Sequence, residues 1–194
     1  MMDSNVSAEV DRSRTVSVVT LAFSADPMAR WAFPDPGDYY AYFPEFVHAF
    51  AGAAFEAGSA FALDGYVGAA LWLPPGVHPD EERLGALVAE NISAELQGPI
   101  SEMFELQEAC HPEEPHWYLP LIGVDPLHQG KGYGSQLLQK ALGIVDSQGL
   151  AAYLEATTRS SRALYERHGF EVVRELRVAG SPPMWPMIRR PTAA

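Results

Sequence analysis

Residues 129–134 have the sequence Gln-Gly-Lys-Gly-Tyr-Gly and form a glycine-rich loop between two apolar stretches of the chain. Glycine has no Cβ, so the chain can turn sharply there and its N–H groups can approach an anion closely. Residues 135–146 follow with apolar side chains at helical spacing. A helix that begins there directs four unpaired N–H groups and the positive end of its dipole toward the loop. The loop therefore predicts a phosphate site.

Two familiar types of phosphate loop do not match these residues. A dinucleotide-binding loop needs glycine at the sixth position counted from Gly130, where this chain has Ser135. A Walker A loop needs its lysine after the last glycine, whereas Lys131 stands between Gly130 and Gly132. The pattern that remains is Q-x-x-G-x-G, and a flexible glycine turn is the alternative interpretation.

Strand and helix patterns alternate around the loop. Strands are predicted over residues 116–124, 150–157 and 170–178, and helices over 135–146 and 159–168. This alternation predicts βαβ crossovers and a partly parallel sheet, which a last antiparallel strand over 184–188 completes.

The first half of the chain is predicted to add helices and a hairpin. Helices are expected over 11–25, 39–55, 80–96 and 100–110, with Asp26-Pro27 ending the first and Gly98-Pro99 separating the last two. Two apolar runs within residues 59–73 flank Asp64-Gly65, a dipeptide typical of a tight hairpin turn. A short strand is expected near residues 5–10.

Composition limits the kind of protein this can be. The chain has 194 residues, 47% apolar and 20% charged, so we expect a single domain over residues 1–194. The formal net charge is -12 and only 13 residues are Lys or Arg. Nucleic acid is therefore a poor partner, because phosphate binding needs clustered positive charge. A cationic substrate fits this charge better.

The sequence also bears on where the protein works. Cys110 is the only cysteine, which excludes an intrachain disulfide and is typical of a reducing compartment. Charged residues interrupt the first twenty positions, and no stretch approaches the ~18 to 20 apolar residues that a membrane span needs. We therefore expect a cytoplasmic protein with no membrane partner. The oligomeric state is left open, with a homodimer as one candidate.

Two motifs in the correct order resemble those of the GNAT N-acetyltransferase superfamily. The first comprises Gln129, Gly132 and Gly134, and the second is Ala-Leu-Tyr-Glu-Arg-His-Gly-Phe at residues 163–170. The runs 117–134, 153–157, 165–170 and 184–187 are similar to puromycin N-acetyltransferase-like members of that superfamily. The resemblance implies an α+β (mixed α/β) fold, with a central mixed sheet of six to seven strands flanked by helices.

The resemblance also implies acetyl-CoA as co-substrate, with no metal. In this interpretation the loop holds the pyrophosphate and the strand before it pairs with the pantetheine arm. Ser161 stands where the family usually has Asn, and its hydroxyl reaches less far. The implied donor-binding residues are Ile122, Val124, Gln129, Gly130, Lys131, Gly132, Tyr133, Gly134, Ser135 and Ser161.

Two residues are candidates for the chemistry. Tyr165 matches the tyrosine that serves the family as general acid, and a phenol with a pKa near 10 can protonate a thiolate with a pKa near 8.5. A tyrosine that only packs against the sheet is the alternative. Glu155 interrupts a strand expected to be buried, where a carboxylate is costly unless it is compensated. It is either a general base or a hydrogen-bonded residue that shapes the cleft.

Other residue types add little to this interpretation. Five further histidines, His48, His78, His111, His116 and His128, show no metal-ligand spacing and are expected mostly at the surface, with His116 as a reserve base. Some of the early aromatic residues could line a pocket for a flat or apolar amine. The leading hypothesis is direct acetyl transfer to a small-molecule amine. The alternatives are a non-catalytic acyl-CoA sensor or scaffold and a peptide or protein N-acetyltransferase.

Overall fold

A seven-stranded mixed sheet forms the centre of the molecule in a computed structural model, which describes residues 5–191. Its strands are β1 (Val6–Ser7), β2 (Ala60–Leu63), β3 (Gly68–Leu73), β4 (His116–Val124), β5 (Ala151–Ala156), β6 (Glu171–Val172) and β7 (Trp185–Arg189). They lie in the order β1-β2-β3-β4-β5-β7-β6. The pair β4–β5 is parallel and the other pairs are antiparallel. The predicted mixed sheet is confirmed.

Helices cover both faces of this sheet. They are α1 (Arg12–Phe23), α2 (Pro27–Ala32), α3 (Pro36–Ala51), α4 (Ala53–Glu56), α5 (Glu81–Asn91), α6 (Ala94–Glu108), α7 (Tyr133–Ser147) and α8 (Arg159–Arg167). Because successive strand residues point to opposite faces, Leu71 and Tyr153 pack with the core of α1, α3 and α5. Trp72 and Leu154 pack with α7 on the other face. Within residues 5–191, no helix has the length and apolar character needed to cross a membrane.

The first predicted helix ends before Asp26-Pro27, as expected, and the same dipeptide also begins a helix that the sequence did not predict. Asp26 is the N-cap of α2, and its Oδ1 accepts hydrogen bonds from the N–H groups of Met28 at 2.9 Å and Ala29 at 3.1 Å. Proline is favoured at the first helical position, where its missing N–H has no intrahelical partner to lose. The same dipeptide thus ends α1 and begins α2.

Two predicted boundaries were wrong. Gly98-Pro99 lies inside α6, which continues because Ile100 and Met103 are buried in the core. The strand predicted over 170–178 pairs with β7 only at Glu171–Val172, followed by an isolated bridge between Leu176 and Met184. This part of the chain is the edge of the sheet and is largely exposed.

The parallel pair β4–β5 separates after four residues. Pairing runs from His116 opposite Ala151 to Leu119 opposite Leu154. The next residue, Pro120, has no N–H to donate, and the β3–β4 register gains one residue on β4 between Tyr118 and Leu121. From there β4 pairs only with β3, and the end of β5 pairs only with β7. The sheet therefore opens at the carboxyl ends of its two parallel strands, where open α/β sheets bind ligands.

Helix α1 lies very close to the separated part of β4. A Cβ atom built on Gly123 would lie only 2.5 Å from the Cβ of Ala22, far inside normal contact distance. Glycine at position 123 therefore permits α1 to cover this stretch of β4.

We expect Gly123→Ala to destabilise the protein by about 1 to 3 kcal/mol, because the added methyl group forces α1 away from β4. Urea unfolding measures this change. Gly143→Ala is the matched control, since Gly143 is exposed in α7 and its Cβ would meet nothing within 4 Å. The control is expected to stabilise the helix by up to ~1 kcal/mol. A Gly123→Ala variant as stable as the wild type would contradict the packing argument.

Candidate active site

A cleft of about 830 Å³ opens where β4 and β5 separate. One group of lining residues belongs to the glycine loop, the start of α7 and the first part of α8. A second group is apolar and comes mainly from α2, α3, α5 and α6. Asp26, Glu155, Thr157 and Tyr165 add polar groups to the same cleft. One continuous space therefore connects the predicted phosphate loop with an apolar chamber.

The glycine loop leaves helix α7 with open N–H groups. Gly130 and Gly132 have φ angles of 73° and 84°, a left-handed conformation that favours glycine. Gly132 is the N-cap of α7 and has no side chain to satisfy the N–H groups of the first turn. A Cβ on either glycine would meet nothing within 4 Å. The backbone here is thus accessible to an anion, and α7 begins at Tyr133, two residues earlier than predicted.

Side chains around the loop anchor it to its neighbours. Gln129 donates from Nε2 to the carbonyl oxygen of Val124 at 3.1 Å, which ties the loop to the end of β4. Ser135 Oγ lies 2.9 Å from His168 Nε2 and so links the start of α7 to the end of α8. Lys131 is exposed and donates from Nζ to Leu127 O at 3.3 Å. Gln129 and Ser135 therefore hold the shape of the loop.

The structure brings most of the predicted donor-binding residues to the cleft. Ile122 and Val124 line it while pairing with Ala70 and Gly68 of β3, so the other edge of this part of β4 is not paired with β5. Lys131 is the predicted residue outside the lining. The remaining lining residues from that prediction are Gln129, Gly130, Gly132, Tyr133, Gly134, Ser135 and Ser161.

Ser161 has a local role that the sequence did not suggest. Its Oγ accepts from Thr158 N at 3.2 Å, while Ser161 N donates to Thr158 Oγ1 at 3.0 Å. This reciprocal arrangement is a capping box at the start of α8. The Ser161 hydroxyl is thus already engaged, and its contact with the acyl donor stays a prediction.

Glu155 is a buried carboxyl group at the open end of β5. Its side chain is 5% exposed. Oε2 accepts a hydrogen bond from the hydroxyl of Tyr118 at 2.9 Å, whereas Oε1 has no hydrogen-bond partner within the described chain. Burial raises the pKa of Glu155 to about 7, although hydrogen bonding from Tyr118 acts in the opposite direction. A carboxyl group with this pKa can take up and release a proton near neutral pH, as a general base must.

His111 stands behind Glu155, a contact that the sequence did not predict. Its ring packs against Tyr153 with centroids 4.2 Å apart, and its Nε2 lies 3.7 Å from Glu155 Oε1. Its Nδ1 is 3.2 Å from Nε2 of His116. Burial, together with the neighbouring His116, lowers the pKa of His111 to about 4. The sequence signal was weak, because His111 lies in a proline-rich loop far from Glu155 along the chain.

Tyr165 lies on α8 and lines the same cleft. Its side chain is buried, with the ring packed edge-on against Phe170 at 6.1 Å between centroids. Burial, with the nearby charges of Asp26 and Glu155, raises the pKa of Tyr165 above its usual value. The phenol therefore keeps its proton at neutral pH, as a proton donor requires.

Asp26 is a further carboxyl group in the cleft that sequence reasoning missed. Its Oδ2 accepts a hydrogen bond from the hydroxyl of Thr157 just beyond β5. Burial raises the pKa of Asp26, while hydrogen bonds from Thr157 and the first turn of α2 lower it. Sequence reasoning missed Asp26 because an Asp-Pro pair after a helix is already explained by the end of that helix. Among residues 5–191, no three His, Cys, Asp or Glu side chains are placed to hold a metal ion.

Comparisons with known proteins agree with this geometry. The model of the acetyltransferase (GNAT) family matches residues 31–170. A segment of 54 residues is 43% identical to an uncharacterized N-acetyltransferase of Schizosaccharomyces pombe. That match covers 28% of this chain and 22% of the yeast protein, about a fifth of its length.

Solved structures share the fold over nearly the whole chain. A histone acetyltransferase HPA2 and related acetyltransferase of Corynebacterium glutamicum is 25% identical, with a TM-score of 0.69 over 100% of this chain and 99% of that one. Arylalkylamine N-acetyltransferase 2 of Aedes aegypti is 13% identical, with a TM-score of 0.67 over 98% of this chain and 100% of that one. The fold of this chain is therefore shared with these acetyltransferases.

The match over residues 31–170 spans well over half of the chain. The chain therefore belongs to the GNAT family of acetyltransferases, whose members use acetyl-CoA as the acetyl donor.

We expect Gly132→Ala to weaken CoA binding about tenfold, the equivalent of ~1.4 kcal/mol, because a side chain would occupy the space in front of the α7 N–H groups. Isothermal titration with CoA measures this affinity. Gly149→Ala is the matched control: Gly149 has a φ of 66° and open space around its Cβ, and it lies at the other end of α7. Both variants carry similar backbone strain, so an equal effect on CoA affinity would contradict the assignment of the loop.

Proposed function

We propose that this protein transfers the acetyl group of acetyl-CoA directly to the primary amine of a small molecule with an apolar body. The observation that carries the proposal is the continuity of the cleft, which joins the glycine loop to Glu155 and Tyr165 and then to an apolar chamber. Cys110, the only cysteine, is not among the lining residues, which favours transfer without an acyl-cysteine intermediate.

The donor is proposed to lie along the separated edge of β4. Its pyrophosphate binds the open N–H groups of the loop from Gln129 to Ser135, where the helix dipole of α7 favours negative charge. The pantetheine arm pairs with free backbone groups near Ile122 and Val124. The acetyl group then reaches the part of the cleft between the loop and the apolar chamber.

Two side chains divide the proton transfers of the reaction. An amine attacks a thioester only in its neutral form, so Glu155 accepts the ammonium proton, and its raised pKa suits this task near neutral pH. The departing thiolate needs a proton, and the phenol of Tyr165, which is protonated at neutral pH, is the group in the cleft that supplies it. Both residues line the same cleft.

The apolar chamber indicates the class of acceptor. Its aromatic residues contact one another, with ring centroids 5.0 Å apart for Phe46–Phe50 and 6.3 Å apart for Phe50–Phe104. A charged group buried there would lack a partner, which costs several kcal/mol. A single amine can instead meet Glu155 or Asp26 at the polar end. Other apolar residues of the chamber are Met28, Trp31, Phe33, Phe43, Leu87, Ile100 and Met103.

An apolar chamber with one polar end favours monoamines with an apolar body over polyamines. The fold neighbour from Aedes aegypti is an arylalkylamine N-acetyltransferase, and the present chamber supports a similar class by its own residues. Spermidine and agmatine would carry a second positive charge into a region lined by aromatic rings.

We expect a panel of amines, followed by CoA release, to show kcat/KM at least tenfold higher for phenethylamine, tryptamine or puromycin than for spermidine or agmatine. Tenfold corresponds to ~1.4 kcal/mol, less than the cost of burying an unpaired charge. A lysine peptide is included as a protein-like acceptor. Preferred turnover of that peptide would contradict a small-molecule acceptor. Tight CoA binding with no turnover of any amine would indicate a sensor instead of an enzyme.

We expect Tyr165→Phe to lower kcat roughly 100-fold with little change in CoA affinity, since proton transfer contributes on that scale. The measurement is steady-state CoA release together with titration of CoA. Tyr39→Phe is the control, because it also removes a buried phenol hydroxyl, one that donates to Thr20 O at 2.6 Å outside the cleft lining. An unchanged kcat in Tyr165→Phe would remove Tyr165 from the mechanism.

A further inference from the structure

We propose that His111 and His116 form a relay that carries the proton from Glu155 out to solvent without passing through the cleft. Neither imidazole lines the cleft, although His111 Nε2 lies 3.7 Å from Glu155 Oε1. The proposal rests on the role of Glu155 as base in the proposed function. It assigns a task to two histidines that the transfer reaction itself does not use.

The hydrogen bonds of the pair determine which ring nitrogens carry protons. His116 Nδ1 lies 2.8 Å from the carbonyl oxygen of Glu114, which can only accept, so this nitrogen is the donor. In the neutral ring, Nε2 of His116 then accepts, and it lies 3.2 Å from Nδ1 of His111. His111 therefore donates from Nδ1, and its Nε2 keeps a lone pair. That lone pair is on the nitrogen nearest to Glu155.

The free lone pair of His111 meets an oxygen that also lacks a partner. Glu155 Oε1 is buried without a hydrogen bond within the described chain, whereas Oε2 is satisfied by Tyr118. A proton on Oε1 would supply the missing donor between the two atoms. The gap of 3.7 Å is wider than a hydrogen bond, so transfer requires a small rotation of the His111 ring toward the carboxyl group.

The proton balance closes over one turnover. The substrate amine loses a proton to Glu155, and Glu155 passes a proton from Oε1 to His111 Nε2. His111 passes its Nδ1 proton to His116 Nε2, which makes His116 the cation. His116 then releases its Nδ1 proton to water. One proton enters at Glu155 and one leaves at His116, which leaves both rings protonated on Nε2. Between turnovers each ring loses its Nε2 proton to water and takes a proton from water on Nδ1, which restores the starting tautomers; the His111 side chain is 20% exposed.

The surroundings of Glu155 explain why a second exit is useful. When both substrates fill the cleft, water is excluded from the carboxyl group on that side. The other direct contact, the Tyr118 hydroxyl, holds its proton strongly because burial and Glu155 raise its pKa. The Tyr153 hydroxyl, which also neighbours Glu155, likewise holds its proton because burial raises its pKa. His111 is the neighbour that has both a free acceptor atom and a second nitrogen from which a proton can be passed on. Its low pKa means that it passes a proton on without storing it.

Several charged or titratable groups surround this pair. Glu108 and Cys110 act from the end of α6, and His78 acts from the segment between β3 and α5. Tyr118 and Tyr153 contact His111 from β4 and β5. Glu114, whose carbonyl accepts from His116, has its carboxylate 3.7 Å from Arg190.

The kinetic test uses His111→Asn, which removes the second ring nitrogen of the relay. We expect kcat in weak buffer to fall roughly tenfold, at the lower end of proton-transfer effects, and to recover when imidazole is added. The wild type is expected to be insensitive to imidazole. His48→Asn on α3 is the control, since His48 lies outside the cleft lining and is expected to leave kcat unchanged. A His111→Asn variant with unchanged kcat, or with a loss that imidazole does not restore, would overturn the relay.

A second test does not depend on turnover. Nitrogen-15 NMR of the imidazole rings is expected to show a proton on Nδ1 of both His111 and His116, with Nε2 of His111 unprotonated. A proton on Nε2 of His111 in the resting protein would overturn the relay. If the wild type acetylates no amine, the proposed function fails, and this tautomer pattern still decides whether the pair is aligned for transfer.

Discussion

The separation of β4 and β5 after Leu119 is the feature on which the rest of the molecule depends. Pro120 cannot donate to a neighbouring strand, and the extra residue on β4 turns its end away from β5. Without this opening the two strands would satisfy each other's backbone groups, and no cleft would exist beneath the glycine loop. The open edge, the first turn of α7 and the end of β5 all face the resulting space.

The opening also explains the unusual chemistry of Glu155. The residue lies one position beyond Leu154, the last residue of β5 that pairs with β4, so its carboxyl group is buried yet borders the cleft. A carboxyl group in such surroundings resists ionisation, and its pKa rises toward neutral pH. The Tyr118 hydroxyl behind it donates a hydrogen bond in place of solvent. Fold and reactivity thus share one cause, the point at which the parallel pairing ends.

The sequence predicted those features that depend on local patterns. Glycines at 130 and 132 adopt the left-handed conformations that only glycine accepts easily, and the alternation of apolar runs predicted the strand and helix order. It was incomplete where one pattern serves two structures: Asp26-Pro27 predicted the end of α1 but also begins α2, which the sequence did not predict. Sequence reasoning also missed His111, because the contact between His111 and Glu155 depends on tertiary packing and produces no periodic pattern in the sequence.

Asp26 belongs to two structures at once, the cap of α2 and the wall of the cleft. A substitution that removes the side-chain oxygen at this position loosens the helix that carries Met28 and Trp31 as well as changing the charge offered to an acceptor. A change of acceptor during evolution is therefore constrained at position 26. The apolar residues of the chamber can change more freely, because a change in their volume does not remove the cap of α2. We expect family divergence in acceptor choice to accumulate in the chamber while this aspartate persists.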